Sequence, residues 1–85
     1  MARTLDLKET VNMLIKSAES GDSKNRWDLR VVSWNDGRPK LEKRNYWRKS
    51  ADEEFKLGKA VGLDINDLEE ILARLEEIQK IMKTT

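Results

Sequence analysis

All three tryptophans of this chain lie in one short stretch that is also rich in lysine and arginine. They are Trp27, Trp34 and Trp47. Residues 24–49 hold nine lysines and arginines against three acidic residues, a local charge of +6 in a chain whose net charge is only +1. Cationic side chains neutralise phosphates, and flat aromatic rings offer faces on which bases stack. The stretch therefore favours contact with a polyanion that carries stackable bases.

Each of these residue types also has a plainer interpretation. A tryptophan in a small sheet is more often part of the core, and Trp27 fits a core best because Leu29 and Val31 accompany it at alternate positions. A run of lysines and arginines on a strand is usually a solvated face. What favours binding is the coincidence of Trp34, Trp47 and nine cations in 26 residues, opposite a C-terminal segment that carries a net charge of −3 from Asp64 onward.

The composition argues against catalysis and against a metal centre. There is no histidine and no cysteine, so the commonest general base, the commonest metal ligand and the strongest nucleophile are all missing. Acidic residues cluster at 52–54 and at the start of a predicted helix, where they complement the helix dipole. We expect no enzyme activity, no cofactor, no metal and no disulfide.

No apolar run approaches the ~20 residues of a membrane span, and no secretory signal opens the chain. We therefore expect a soluble intracellular protein that makes no membrane contact. It would lie in the cytoplasm or nucleoid of a prokaryotic or viral system, or in the nucleus of a eukaryote.

Eighty-five residues predict a single α+β domain made of three segments. Residues 1–23 form an N-terminal segment, residues 24–63 a basic curved sheet, and residues 64–85 an amphipathic helix. The N-terminal segment is ambiguous. The spacing of Leu7, Val11, Leu14, Ile15 and Ala18 suits one face of a helix. The alternation of Val11 with Met13 and Ile15 suits a strand instead.

The middle segment predicts three strands, at residues 27–34, 40–48 and 55–63. Turn-forming residues separate the first two, and Gly37 tolerates positive φ there. Pro39 can open the second strand without interrupting a ladder. Gly58 and Gly62 suggest a bulge in the third strand, which would help to curve the sheet. With the N-terminal segment, the sheet has three to four antiparallel strands.

The C-terminal segment predicts one continuous helix, capped by Asn66 or by Asp64. Its apolar residues recur at spacings of three and four, as in a coiled coil. One interpretation is that this stripe only covers the sheet. The other is that part of it also pairs with the same helix of a second copy, which would help so short a chain. The stripe consists of Leu68, Ile71, Leu75, Ile78 and Met82.

Two runs, VSWNDGRPKLEKRNYW and EEFKLGKAVGLDINDLEEIL, resemble the positive-cofactor-4 family of transcriptional coactivators, which includes bacterial single-strand-binding members. The resemblance covers residues 27–80, and residues 1–23 do not match. It implies a homodimeric protein with a curved antiparallel sheet, backed by a C-terminal helix through which two chains dimerise. Single-stranded DNA would lie over the concave sheet.

By position, the resemblance gives Trp47 the role of the stacking aromatic and Arg44 that of the strand arginine, while Lys43 replaces a position that is usually apolar. Together with the basic character of the hairpin, it predicts sequence-tolerant binding of single-stranded DNA in transcription, replication or repair. One alternative is that the chain binds single-stranded RNA. The other is that it is an adaptor whose hairpin binds an acidic protein such as a transcription or replication factor. The predicted nucleic-acid contacts are Arg30, Trp34, Arg38, Lys40, Lys43, Arg44, Trp47, Lys49, Lys56 and Lys59.

Overall fold

The computed structural model describes residues 7–83, so residues 1–6 and 84–85 of the predicted terminal segments lie outside the described residues. Four strands precede two helices: β1 (Glu9–Glu19), β2 (Asn25–Trp34), β3 (Lys40–Trp47), β4 (Lys56–Ala60), α1 (Ile65–Ala73) and α2 (Leu75–Met82). The strands form one antiparallel sheet in the order β1-β2-β3-β4. The predicted α+β class is confirmed.

The segment that the sequence left open between helix and strand is β1. Its pairing with β2 shifts twice, since Asn12 and Ile15 are each extra residues without a counterpart on β2. Each extra residue forms a bulge, which interrupts the alternation of side chains between the two faces of the sheet. Val11 and Leu14 consequently pair with Val32 and Arg30 and share a face although they are three residues apart. The bulge at Asn12 thus brings Val11 and Leu14 to one face at the three-residue spacing that suggested a helix, whereas Ala18, beyond the bulge at Ile15, pairs with Trp27 on the other face.

The hairpin between β2 and β3 follows the predicted layout, with one difference in the turn. The N–H of Gly37 donates to the carbonyl of Trp34 at 2.9 Å. Positive φ falls on Asn35 (52°) and Asp36 (62°), and Gly37 does not share it. Two consecutive residues with positive φ are the pattern of type I′ turns, in which asparagine and aspartate are tolerated. As predicted, β3 begins directly after Pro39.

We call the side of the sheet that α1 and α2 cover the helix face. Leu29 and Val31 of β2 pack there against Ile15, Ile71 and Ile78, and Met13, Leu41 and Ile81 complete this cluster. Because side chains alternate along a strand, Trp27 takes the same face as Leu29 and Val31, as the sequence predicted.

The predicted C-terminal helix is two helices, and its cap is Asp64. The Asp64 side chain accepts from the N–H of Asp67 and the Asp67 side chain accepts from the N–H of Asp64, each at 2.9 Å, which forms a capping box. The break falls at Arg74, where φ is −124°. Arg74 donates through Nη1 to the carbonyl of Ile15 at 3.2 Å. The break therefore coincides with a contact to β1, and no glycine or proline marks it in the sequence.

The apolar stripe of the two helices divides between the sheet and solvent. Ile71 and Ile78 are buried against the helix face, with Ile78 only 2% exposed. Leu68, Leu75 and Met82 are exposed, Leu75 by 39%. Only part of the stripe therefore covers the sheet, and its outer half is exposed in the single chain. Neither helix is long and apolar enough to cross a membrane, over the residues searched.

The third predicted strand is shorter than expected, and β4 ends at Ala60 rather than at residue 63. The predicted bulge is present, since Gly58 and Lys59 together face Asn45 of β3. A Cβ at Gly58 would lie 2.5 Å from the backbone oxygen of Asn45. Only glycine allows β4 to approach β3 this closely.

Candidate nucleic-acid interface

The ten predicted contact residues do not form one surface, because the alternation of side chains along β2 and β3 sends them to opposite sides of the sheet. Arg30, Trp34, Lys40 and Arg44 lie on the side away from the helices. Lys43, Trp47, Lys56 and Lys59 belong to the helix face or its margin near β4. Arg38 and Lys49 lie in exposed connections between strands. The two tryptophans predicted to stack bases, Trp34 and Trp47, are therefore on opposite faces.

The side away from the helices carries a row of alternating guanidinium groups and aromatic rings, which we call the arginine–aromatic ladder. Its members in order are Arg48, Phe55, Arg26, Tyr46, Arg30, Trp34 and Arg44. Successive guanidinium carbons and ring centres are between 4.0 and 6.0 Å apart. Such contacts are favourable, more so when removed from water. The ladder covers the sheet face that neither α1 nor α2 covers.

Carboxylates neutralise the centre of this ladder. Arg44 donates through Nε and Nη2 to the two oxygens of Glu42, both at 2.9 Å. Arg30 donates through Nη2 to Glu42 at 2.9 Å and to Glu9 at 2.7 Å. Arg30 also donates to the Tyr46 hydroxyl, which itself donates to Glu9. The hydrogen bonds from Arg44, reinforced by those from Arg30, hold the pKa of Glu42 at about 2 despite its burial.

These contacts leave little of the ladder available to a phosphate. Arg30 is 0% exposed. Arg44 is engaged by Glu42 on two nitrogens, and its third donates to the carbonyl of Gly58 at 2.8 Å. The Trp34 ring is half-buried, with Arg44 4.9 Å from its centre and its Nε1 donating to Glu42 at 3.4 Å. The geometry of the ladder is that of a structural layer.

Lys43 is also engaged within the fold. Its Nζ donates to Asp67 at 2.7 Å, and Lys16 donates to the same carboxylate at 3.4 Å. Asp67 is fully buried at the start of α1. Burial would raise the pKa of Asp67, but the hydrogen bonds from Lys43, the Asp64 N–H and Lys16 bring it to about 2. This cluster fastens the start of α1 to β1 and β3.

The margin near β4 differs from the ladder in the exposure of its aromatic ring and in the lack of acidic partners for its cations. Trp47 is 38% exposed, and the Nζ of Lys56 lies 5.0 Å from the centre of its ring. Lys56, Lys59 and Lys49 are exposed, and none of them forms an ion pair with an acidic side chain of residues 7–83. At this margin an accessible ring lies beside two lysines, Lys56 and Lys59, that have no described acidic partner.

A cleft of about 420 Å³ opens next to Trp47. Asn25, Trp27, Asn45, Trp47, Gly58, Lys59 and Val61 line it. Sequence reasoning did not select Asn25 or Asn45, because an asparagine on a strand carries no signal until the register of the hairpin is known. The ladder residues Arg26, Arg48 and Phe55 were also missed. The only signal in the sequence is that Arg26 and Arg48, at the start of β2 and just after β3, each stand next to a tryptophan.

Over residues 7–83, no group of three or more acidic side chains is arranged to hold a metal ion. Comparison of the chain with family models, with curated proteins and with solved structures found no match.

Proposed function

We propose that this chain binds single-stranded DNA with little sequence preference, through base stacking on Trp47 and phosphate contacts from nearby lysines. The observation that carries the proposal is the exposed Trp47 ring beside Lys56 and Lys59, with the exposed Lys49 in the loop that follows β3; none of the three lysines forms an ion pair with a described carboxylate. An accessible aromatic face together with free cations is the combination that single-strand binding requires.

Two further observations support the proposal. The resemblance of residues 27–80 to the positive-cofactor-4 family implies the same ligand, and in that resemblance Trp47 holds the place of the stacking aromatic. The second is that Glu9 and Glu42 neutralise Arg30 and Arg44 within the fold, and that Asp67 pairs with Lys43. Binding would then be concentrated at the β4 margin and would serve transcription, replication or repair without catalysis.

A titration with a labelled oligothymidylate tests this function. We expect saturable binding that unlabelled single strands compete and that duplex competes poorly, because bases in a duplex are not free to stack on Trp47. Equal competition by an RNA of the same sequence would favour RNA binding. Absence of binding to any nucleic acid would overturn the proposal and favour an adaptor that meets an acidic protein.

The salt dependence of the same titration tests the phosphate contacts. For single strands the slope of log affinity against log salt is about −0.7 per phosphate neutralised, so three contacts, from Lys49, Lys56 and Lys59, give roughly −2. Changing Lys56 and Lys59 to alanine together should reduce the magnitude of the slope by about 1.4. The matched control changes Lys80 and Lys83 of the α2 end, which should leave the slope unchanged. A wild-type slope near zero would contradict the proposal.

We also propose that two copies pair through the outer half of the apolar stripe. Leu68, Leu72, Leu75 and Met82 are exposed on neighbouring turns of α1 and α2. Contiguous exposed apolar residues of this kind mark interaction surfaces. A second copy carries the same surface, so a twofold axis can bury both at once.

Replacing Leu75 with aspartate tests this pairing, because Leu75 is exposed in the single chain. We expect a folded monomer, whereas Ile78→Asp should unfold the chain because it places a charge in the core. Sedimentation velocity and circular dichroism distinguish the two outcomes. A wild type that sediments as a 9.9 kDa monomer at micromolar concentration would refute the pairing.

A further inference from the structure

We propose that the cleft beside Trp47 receives one unpaired nucleobase of the bound strand and recognises its edge through the carboxamides of Asn25 and Asn45. The inference rests on the proposed single-strand binding and goes beyond it. Stacking and phosphate contacts alone would treat all bases nearly alike, whereas this cleft would give a base preference at one nucleotide position.

The cleft is built on two cross-strand pairs of the hairpin. Asn25 lies directly opposite Trp47, and Trp27 lies directly opposite Asn45. Directly opposed residues of an antiparallel pair are about 4.5–5.5 Å apart at Cβ and point to the same face. The four side chains therefore form a square in which two indoles and two carboxamides occupy alternate corners.

This arrangement matches the two surfaces of a nucleobase. A base has flat faces that stack on aromatic rings and an edge of donors and acceptors that pairs with amides. Trp47 offers its exposed ring for stacking, and an asparagine carboxamide presents one acceptor and one donor group to the edge. A purely apolar groove would lack the hydrogen-bonding groups that recognise the edge of the base.

The amides of the cleft are not held tightly by the fold. The Asn45 Nδ2 is 3.4 Å from the Asn25 side-chain oxygen, 3.3 Å from the carbonyl of Arg26 and 3.1 Å from that of Tyr46. The contacts to Asn25 and to the carbonyl of Arg26 are longer than ordinary hydrogen bonds, so the group can exchange one of them for a base. Asn25 and Asn45 are both half-buried, so part of each remains accessible.

Strand β4 forms the remaining wall of the cleft and contributes a positive charge. Lys59 lies there in the β4 bulge, where its ammonium group can meet the phosphate of the nucleotide whose base enters. The volume of about 420 Å³ falls within the range of ordinary small-ligand sites. A base in a duplex cannot enter, because its edge is already paired.

Affinities for dT, dC and dA homopolymers of equal length, measured at one salt concentration, test the inference. For the wild type we expect the best and worst homopolymers to differ at least about fivefold, the lower end of what one amide–base pair contributes. In Asn45→Ala and in Asn25→Ala, this ratio should fall towards one while the salt slope is unchanged. Asn12→Ala, which removes an asparagine from β1 at the opposite edge of the sheet from β4, should keep the wild-type ratio.

The outcomes separate this inference from the proposed function. If no homopolymer binds the wild type, single-strand binding itself fails. If all bind equally, or if both asparagine variants keep the wild-type ratio, single-strand binding stands and edge recognition is overturned. Asn25→Ala keeps the test decisive should Asn45→Ala not fold, because Asn45 also contacts the backbones of β2 and β3.

Discussion

The two sides of the β2–β3 hairpin contain the same residue types and use them differently. On the ladder side, Arg30 and Arg44 contact Trp34 and Tyr46, and Glu9 and Glu42 neutralise both guanidinium groups. At the β4 margin, Lys56 contacts Trp47 with no described carboxylate beside it. A basic aromatic composition is therefore not in itself a binding site. What separates the two sides is whether acidic partners occupy the cations.

The ladder and the β4 margin also differ in which cation they use, arginine in the ladder and lysine at the margin. A guanidinium group is planar, binds carboxylates through two hydrogen bonds and stacks on rings, which suits the buried ladder. An ammonium group on a flexible stem is strongly hydrated and acts as a point charge, which suits exposed contact with phosphate. The ladder is dominated by arginines and the β4 margin by lysines.

The largest effect that would test this comparison is the loss of Arg30. We expect Arg30→Ala to destabilise the fold by about 3 kcal/mol, because it removes a fully buried side chain and the hydrogen bonds that join Glu9, Glu42 and Tyr46. Urea unfolding measures the change. Arg38→Ala, in the exposed turn, should shift the free energy of unfolding by no more than about 0.5 kcal/mol. If Arg30→Ala kept wild-type stability and lost DNA binding, the ladder would be the binding surface.

A second test uses acid, because the carboxylates that fasten the ladder and α1 have lowered pKa values. Glu42 and Asp67 have pKa values of about 2 in the fold, against 4.5 and 3.8 ordinarily. Each should contribute about 2–3 kcal/mol of stability, complete above pH 5 and lost as the pH falls from about 4.5 towards 2. Urea midpoints measured across this range should decline steeply, and in Glu42→Gln the decline should be smaller. A flat profile from pH 5 to pH 2 would contradict these ion pairs.

The smallest expected effects distinguish the two tryptophans. Trp47→Ala should weaken single-strand binding by about 1–3 kcal/mol, the usual value of one base–aromatic stack, with little change in melting temperature. Trp34→Ala should instead lower the free energy of unfolding by about 1–3 kcal/mol, because its half-buried ring contacts Arg30 and Arg44, and should spare binding. Anisotropy titration and thermal melts measure both. The reverse pattern would exchange the roles of the two faces.

Much of the fold was predictable because it depends on local signals. The hairpin follows from alternating strands on either side of turn residues, and the bulge at Gly58 follows from a glycine inside a strand. The alternation also separated Trp27, Leu29 and Val31 from Arg30, Val32 and Trp34. The prediction of one continuous C-terminal helix was wrong, because the helix breaks at Arg74. The break coincides with a contact between Arg74 and Ile15, which are distant in sequence.

The candidate site was less predictable than the fold. The sequence identified the basic residues of the hairpin but could not show which of them have partners. Arg30 meets Glu9 across 21 positions, and Lys43 meets Asp67 across 24. Charge pairs of this kind are invisible until the strands are in register. The asparagine pair of the cleft was missed for the same reason.

The sequence by itself determined the α+β class, the hairpin with its two alternating faces, and the clustering of tryptophans with cations. These depend on periodicity and composition, which a linear chain displays. Only the tertiary structure decided that β1 is a strand with two bulges, that the apolar stripe divides between core and surface, and that Glu9 and Glu42 neutralise Arg30 and Arg44 of the ladder. Each of those depends on which distant residues meet, and that is settled by the packing of the whole chain.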